Sequence, residues 1–154
     1  MIYNNIVDFR IALGQEGALI GLDLGTKKIG VAVSDHLRTV ATPLKTVVRK
    51  KFHLDTKLLL EICRNRTIKG IVIGLPLNMN GTEGPKCQST RTFAGNLSDL
   101  TILPISFWDE RLSTVAAEKL LLEADTSRKR RAELIDHVAA SYILQGALDR
   151  LKIK

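Results

Sequence analysis

The stretch Ala18 to Asp35 leaves this chain few architectures. Ala18 to Leu24 is apolar and strand-forming, with a single carboxylate, Asp23, inside it. Gly25-Thr26-Lys27-Lys28 follows, and Ile29 to Ser34 is a second strand-like run. So short a connection folds the two runs into an antiparallel hairpin. A dinucleotide-binding fold would instead start a helix directly after the first glycine turn, and none fits here. Within the first strand, alternation puts Asp23 on the same face as Leu19 and Gly21. A carboxylate there is costly unless positive charge faces it.

The rest of the chain reads as layers around that hairpin. Met1 to Gly17 is an extension; Ile2, Ile6, Phe9 and Leu13 have rough helical spacing, and Gly14 and Gly17 end the pattern. Val40 to Val48 holds a third strand, with Pro43 implying a bend or an edge. Leu54 to Arg66 is helical, with Leu54, Leu58, Leu59 and Ile62 on one face. Gly70 to Gly74 is a short apolar strand, parallel to its neighbour because a helix precedes it. Leu75 to Gly84 is a loop, and Pro85 suits the first position of a helix carrying Cys87, Thr90, Ala94 and Leu97. Ile102 to Trp108 is a further strand. Ser113 or Thr114 can cap a helix to Glu123, Ala124 to Arg131 reads as a basic loop, and a last helix runs from about Ala132 to Leu151. Strands first, then alternating helices and strands, give a mixed α/β layout around a central sheet.

Composition narrows the class. The 154 residues suit one domain, and 23 Lys and Arg against 16 Asp and Glu give a net charge of +7. That excess favours a polyanionic partner such as nucleic acid, although a merely basic soluble protein has the same balance. Aromatic residues make up only 5%, so base stacking is not the main grip expected. Cys63 and Cys87 lack metal-ligand spacing and read as small buried hydrophobes. No apolar run reaches the ~20 residues of a membrane span, and Asp8 and Arg10 interrupt any signal-peptide core. The expected compartment is the cytoplasm.

Three carboxylates carry the chemistry. Asp23 lies within the first strand, where Lys27 or Lys28 could also neutralise it. Glu110 follows an apolar strand at its C-terminal end, where open α/β sheets place ligands; Asp109 beside it faces the other way, and a capping or surface role fits Glu110 equally. Asp136 falls among Ala140, Ile143 and Ala147 on the apolar stripe of the last helix, with Arg130 and Arg131 as local counter-charges. If the three converge at one edge of the sheet, a hard cation with oxygen ligands accounts for them together. Mg²⁺ or Mn²⁺ in a two-ion site can activate water and stabilise a leaving oxygen.

Four segments give this pattern a family likeness. They are Asp23-Leu24-Gly25-Thr26-Lys27-Lys28-Ile29-Gly30-Val31-Ala32-Val33-Ser34-Asp35, the loop Gly74 to Gly84, Asp109-Glu110-Arg111-Leu112-Ser113-Thr114, and Asp136-His137-Val138-Ala139-Ala140 followed by Ile143-Leu144-Gln145. Together they resemble the YqgF family, also called RuvX, of the RNase H-like nuclease superfamily. The family is described as a pre-rRNA nuclease and, earlier, as a Holliday junction resolvase. The resemblance implies an RNase H-like fold: a mixed five-stranded central sheet, three antiparallel strands then parallel ones, flanked by helices. Residues 18–154 would form the nuclease domain and residues 1–17 an extension. The family's acidic triad falls on Asp23, Glu110 and Asp136, as catalytic residues and as ligands of Mg²⁺ or Mn²⁺. Lys28 stands where the family usually has Arg, which keeps the charge and loses the bidentate fork, and the extension is longer than expected.

The implied reaction is phosphodiester hydrolysis. Lys27, Lys28 and Arg111 would hold phosphates, and Arg128, Lys129, Arg130 and Arg131 would hold the nucleic-acid backbone or stand as a solvated loop. The implied partners are precursor rRNA in 5′-end maturation of the small-subunit RNA, branched DNA as the alternative, and ribosomal particles. No membrane partner is expected, and the chain would be a monomer or weak homodimer. Two rivals come from other classes. Asp23-Leu24-Gly25-Thr26 looks like the first phosphate loop of actin-like and sugar-kinase ATPases, but those need two related domains and a second loop. A nucleic-acid-binding module without turnover is the other.

Overall fold

The hairpin forms with the sharp connection expected of it. In the computed structural model, which describes residues 1–112 and 128–153 and the side chains of all of these except 128–137, β2 (Leu19–Leu24) pairs antiparallel with β3 (Lys28–Ser34). Gly25 N–H donates to the Lys28 carbonyl at 2.8 Å and closes the turn. Ser34 and Asp35 fix the far end. Ser34 Oγ accepts from Leu19 N at 2.9 Å, and Asp35 Oδ1 accepts from Thr39 N and Val40 N at 2.7 and 2.8 Å. These last two residues of the first motif are therefore structural.

Around the hairpin, β1 (Ile2–Tyr3), β4 (Ala41–Val48), β5 (Gly70–Leu75) and β6 (Ile105–Asp109) complete one sheet in the order β1-β6-β5-β2-β3-β4. The three strands β2, β3 and β4 are antiparallel, and β5, β6 and β1 add in parallel. This is the expected five-stranded arrangement with one addition: the extension supplies β1, a sixth strand at the edge. Pro43 sits on the other edge strand, where a missing N–H breaks no interior ladder, and the register shifts opposite Val31 and Ala32. β6 starts later than expected. Pro104 precedes it, and Ile102 is 98% exposed instead of buried in a strand.

Helices cover both faces. One core gathers Ile20, Leu22, Ile71 and Ile73 under α2 (Phe52–Asn65) and α3 (Pro85–Ser98), through Leu59, Cys63, Phe93, Ala94 and Leu97. The second gathers Leu19, Val72 and Trp108 under α1 (Ile6–Leu13) and α4 (Arg128–Leu151), through Phe9, Leu13, Ala140, Ile143, Leu144 and Leu148. Both cysteines are buried and free. Burial pushes the Cys63 thiol up to about 11, against a smaller pull from Arg64, so it stays an inert thiol at neutral pH.

The last helix corrects the sequence reading. It begins at Arg128 instead of about Ala132, so Arg128, Lys129, Arg130 and Arg131 occupy its first turn and not a loop. Arg and Lys are good helix formers, and no Gly or Pro interrupts the chain there. The helix expected from Ser113 or Thr114 to Glu123, and residues 124–127 of the expected loop, lie outside the described residues.

The extension is part of the packed body. Phe9 is fully buried and Leu13 nearly so. Arg10 Nη2 donates to the Ile153 carbonyl at 2.6 Å beyond the end of α4. Arg38, buried with φ at 61°, donates to the carbonyls of Leu13, Gly14 and Gly17 at 3.2, 2.9 and 2.7 Å. Phe9→Ala should therefore cost about 3–5 kcal/mol. Chemical denaturation checks this, and a midpoint unchanged from wild type would mean that the extension is merely draped on the surface.

Candidate active site at the C-terminal edge of the sheet

The strand register brings Asp23 and Glu110 together. In the parallel ladder Gly21 pairs with Val72 and Leu22 with Ile73, so Asp23 and Gly74 are the next step along. One strand further, Gly74 pairs with Trp108. Leu19, Val72 and Trp108 all belong to the core under α4. Alternation places Gly21, Asp23 and Gly74 on that face too. Asp23 is 9% exposed.

Gly74 makes the room. A Cβ added to it would lie 2.5 Å from Ile143 Cδ1 and 2.7 Å from Glu110 Oε1. The Glu110 carboxylate thus sits over Gly74, on the same face as Asp23 and one strand away. Any side chain at position 74 would displace it. Glu110 itself opens a 3₁₀ turn, Glu110–Leu112, directly beyond β6, which carries its side chain back over the end of the sheet. The sequence reading missed Gly74, though a glycine closing an apolar strand is a recognised sign of close approach.

Asp136 comes from the helix above. A Cβ on Gly21 would meet Leu144 Cβ at 2.7 Å and the Ala140 carbonyl at 3.1 Å, so α4 lies against β2 there. Leu148, a turn later, lines a pocket with Gly14 and Arg38, and Arg38 bonds the Gly17 carbonyl just before β2, at the opposite end of the strand. The helix therefore runs antiparallel to β2. Going one turn back from Ala140 moves about 6 Å along the helix, and going from Gly21 to Asp23 moves about 7 Å along the strand. The backbone of Asp136 stands at the Asp23 end of the sheet, and its side chain lies outside the described residues.

The basic candidates divide. Lys27 is exposed in the turn and Lys28 is half-buried at the start of β3. Arg111 is engaged: its Nη2 and Nε donate to Asp109 Oδ2 and Oδ1 at 2.8 and 3.1 Å, and its Nη1 donates to the Met79 carbonyl at 3.2 Å. Burial pushes the Asp109 carboxyl up, but the Arg111 side chain and backbone N–H outweigh it and hold it below the usual carboxylate range. Asp109, through Arg111, thus ties the strand end to the loop after β5. Arg128, Lys129, Arg130 and Arg131 stand on the first turn of α4, eight to five residues before Asp136, with side chains outside the described residues.

Among the described residues no group of three metal-ligating side chains forms. Asp23 and Glu110 supply two oxygen donors on one face. Such donors suit a hard divalent cation, and the space left by Gly74 gives the second of them its place. No described helix is long and apolar enough to cross a membrane.

The chain has relatives among known proteins. The model of the family described as "RuvX: Holliday junction resolvase" matches residues 17–150. A Ruegeria sp. (strain TM1040) protein named "Putative pre-16S rRNA nuclease" is 69% identical over 152 residues, covering 99% of this chain and 97% of its own. A Ruegeria pomeroyi protein of the same name is 68% identical and covers 99% of both chains. Among solved structures, T. thermophilus RuvC in complex with a Holliday junction substrate aligns with a TM-score of 0.55 and 12% identity, over 88% of this chain and 96% of its own. That likeness is one of fold, the RNase H-like fold. On its matched length and on the identity of its relatives, this chain belongs to the RuvX family.

Proposed function

We propose that this protein is a cytoplasmic nuclease that hydrolyses a phosphodiester bond of precursor 16S rRNA in 5′-end maturation, with Asp23, Glu110 and Asp136 as its catalytic carboxylates. The observation that carries the reading is the Glu110 carboxylate seated over Gly74 on the face of Asp23, in a chain 69% identical to a relative named for that activity.

Asp23, Glu110 and Asp136 would hold Mg²⁺ or Mn²⁺. Two such ions, when bound, supply Lewis-acid charge at the attacking and leaving oxygens. The chain's own residues then position the substrate. Lys27 and Lys28 flank the turn beside Asp23 and neutralise phosphate charge. Arg111, held by Asp109 and the Met79 carbonyl, keeps the loop after β5 in place and adds positive charge near the strand end. Asp23, on a central strand under α4, stays fixed while substrate enters over the exposed end of the sheet. Arg128, Lys129, Arg130 and Arg131 add backbone contacts from the first turn of α4.

The family description favours a second reading, resolution of four-way junctions. A resolvase cuts two strands symmetrically and therefore works as a two-fold dimer. Purified protein incubated in parallel with precursor 16S rRNA and a four-way junction, in Mg²⁺ or Mn²⁺, separates the two. Our reading predicts cleavage of the RNA by a monomer or weak dimer. Symmetric cutting of the junction by a stable dimer, with the RNA left whole, would replace it.

A further inference from the structure

The described acidic residues Asp23 and Glu110 occupy the α4 face of the sheet edge. The opposite face of the same edge carries a cleft that the catalytic residues leave unused. It has a volume of about 640 Å³, and its walls come from three separate segments. The β2–β3 turn contributes Gly25, Thr26 and Lys27; the end of β4 contributes Arg49 and Lys50; α3 contributes Lys86, Ser89 and Thr90; Phe93 lies behind them. Four cations face this space, and no carboxylate is among its described lining residues. Clustered like charges repel, so such a cleft favours an anion that brings them together.

Its central residue is already oriented. Arg49 Nη1 donates to the Gly25 carbonyl at 2.7 Å, its guanidinium lies 5.6 Å from the centre of the Phe93 ring, and its backbone N–H binds the Lys27 carbonyl at 2.9 Å. Phe93 is itself held edge-on by Phe52 at 5.4 Å. A guanidinium with one N–H bonded and its plane braced on an aromatic ring has further donors fixed in direction, which suits a tetrahedral oxyanion. Lys50 and Lys86 also line the cleft and are exposed to solvent.

We propose that this cleft binds the sugar–phosphate backbone of a single strand, the continuation of the substrate strand past the cleavage site, so that the chain crosses the sheet edge at Gly25. The inference rests on the nuclease reading for the identity of the strand. Leu24 is one residue after Asp23 and lines the cleft, so one strand passing over Gly25 meets the carboxylates on one side and the four cations on the other. A nucleic-acid backbone fits better than a free nucleotide, because the lining is basic along its length and only one aromatic ring, nearly buried, is present for a base.

The test measures binding without turnover. A labelled single-stranded RNA is titrated in EDTA at several salt concentrations against wild type, Lys50→Ala/Lys86→Ala, and the control Arg66→Ala/Lys69→Ala, which removes equal charge at the opposite end of the sheet. None of these side chains is buried, and thermal melts check folding. Each single-strand phosphate contact contributes about 0.7 to the slope of log K against log salt. The cleft variant should lose about 1.4 of that slope, and the control should keep it. No measurable binding by wild type, equal losses in both variants, or an unchanged slope in the cleft variant would each overturn the proposal. ATP binding that the cleft variant abolishes while its RNA binding is intact would overturn it in favour of a nucleotide site. Slope loss in the cleft variant with no cleavage by wild type in Mg²⁺ or Mn²⁺ would leave the cleft standing and remove the nuclease reading.

Discussion

Asp23→Asn should reduce cleavage of precursor rRNA by at least about three orders of magnitude, the scale of losing a residue that acts with others as one catalytic unit. The substitution is isosteric and keeps an acceptor oxygen on the same face, so the β2–β3–β5 ladder has no reason to change. What it removes is the charge at the candidate site's edge of a central strand, next to Gly74 in the ladder and on the α4 face. Cleavage assays beside far-UV circular dichroism separate loss of chemistry from loss of fold. A folded variant retaining more than a tenth of wild-type activity would show that the reaction is carried elsewhere in the molecule.

Gly74→Ala should also be damaging, although the new methyl group carries no chemistry. Its Cβ would need the space held by Ile143 Cδ1 and Glu110 Oε1 at 2.5 and 2.7 Å. Ile143 is fully buried and cannot swing out, so overpacking should cost about 1–3 kcal/mol. The Glu110 carboxylate must also move, and a displacement of about 1 Å in a catalytic group costs about a hundredfold in rate. Gly146→Ala is the matched control. Its Cβ would press from α4 on the Trp108 ring at 2.8 Å, and its three nearest heavy atoms include no carboxylate oxygen. It should lower thermal stability comparably and leave most activity. Equal activity losses in the two variants would show that Gly74 matters only for packing.

How much of this was legible in the chain follows from where the signals are local. The hairpin was readable because Gly25-Thr26-Lys27-Lys28 is too short for anything else, and β5 because an apolar run follows a helix. Asp23, Glu110 and Asp136 stood out because each sits where a charge is costly or where ligands collect. Other features were not local. Gly74 looks like an ordinary strand end until Glu110, 36 positions later, is seen above it. The edge strand β1 pairs two residues of the extension with β6, a contact no periodicity encodes. The cleft draws Lys27, Arg49, Lys50 and Lys86 from segments that no sequence motif links, although the basic run Arg49-Lys50-Lys51 after β4 was a visible sign. The basic run before Asp136 was misplaced because charge density reads as a loop, while helix propensity decides the matter once α4 is anchored by its apolar residues.

The central claim is that three side chains, distant in sequence, share divalent cations. Titration of Mn²⁺ into wild-type protein and into Asp23→Asn, Glu110→Gln and Asp136→Asn, followed by electron paramagnetic resonance of the free ion, measures it without a substrate. The account predicts that wild type takes up Mn²⁺ and that each of the three variants, still folded, binds it at least about tenfold more weakly. Wild-type affinity in the folded Asp136→Asn protein would contradict it, since the helix above the sheet would then contribute nothing to the site.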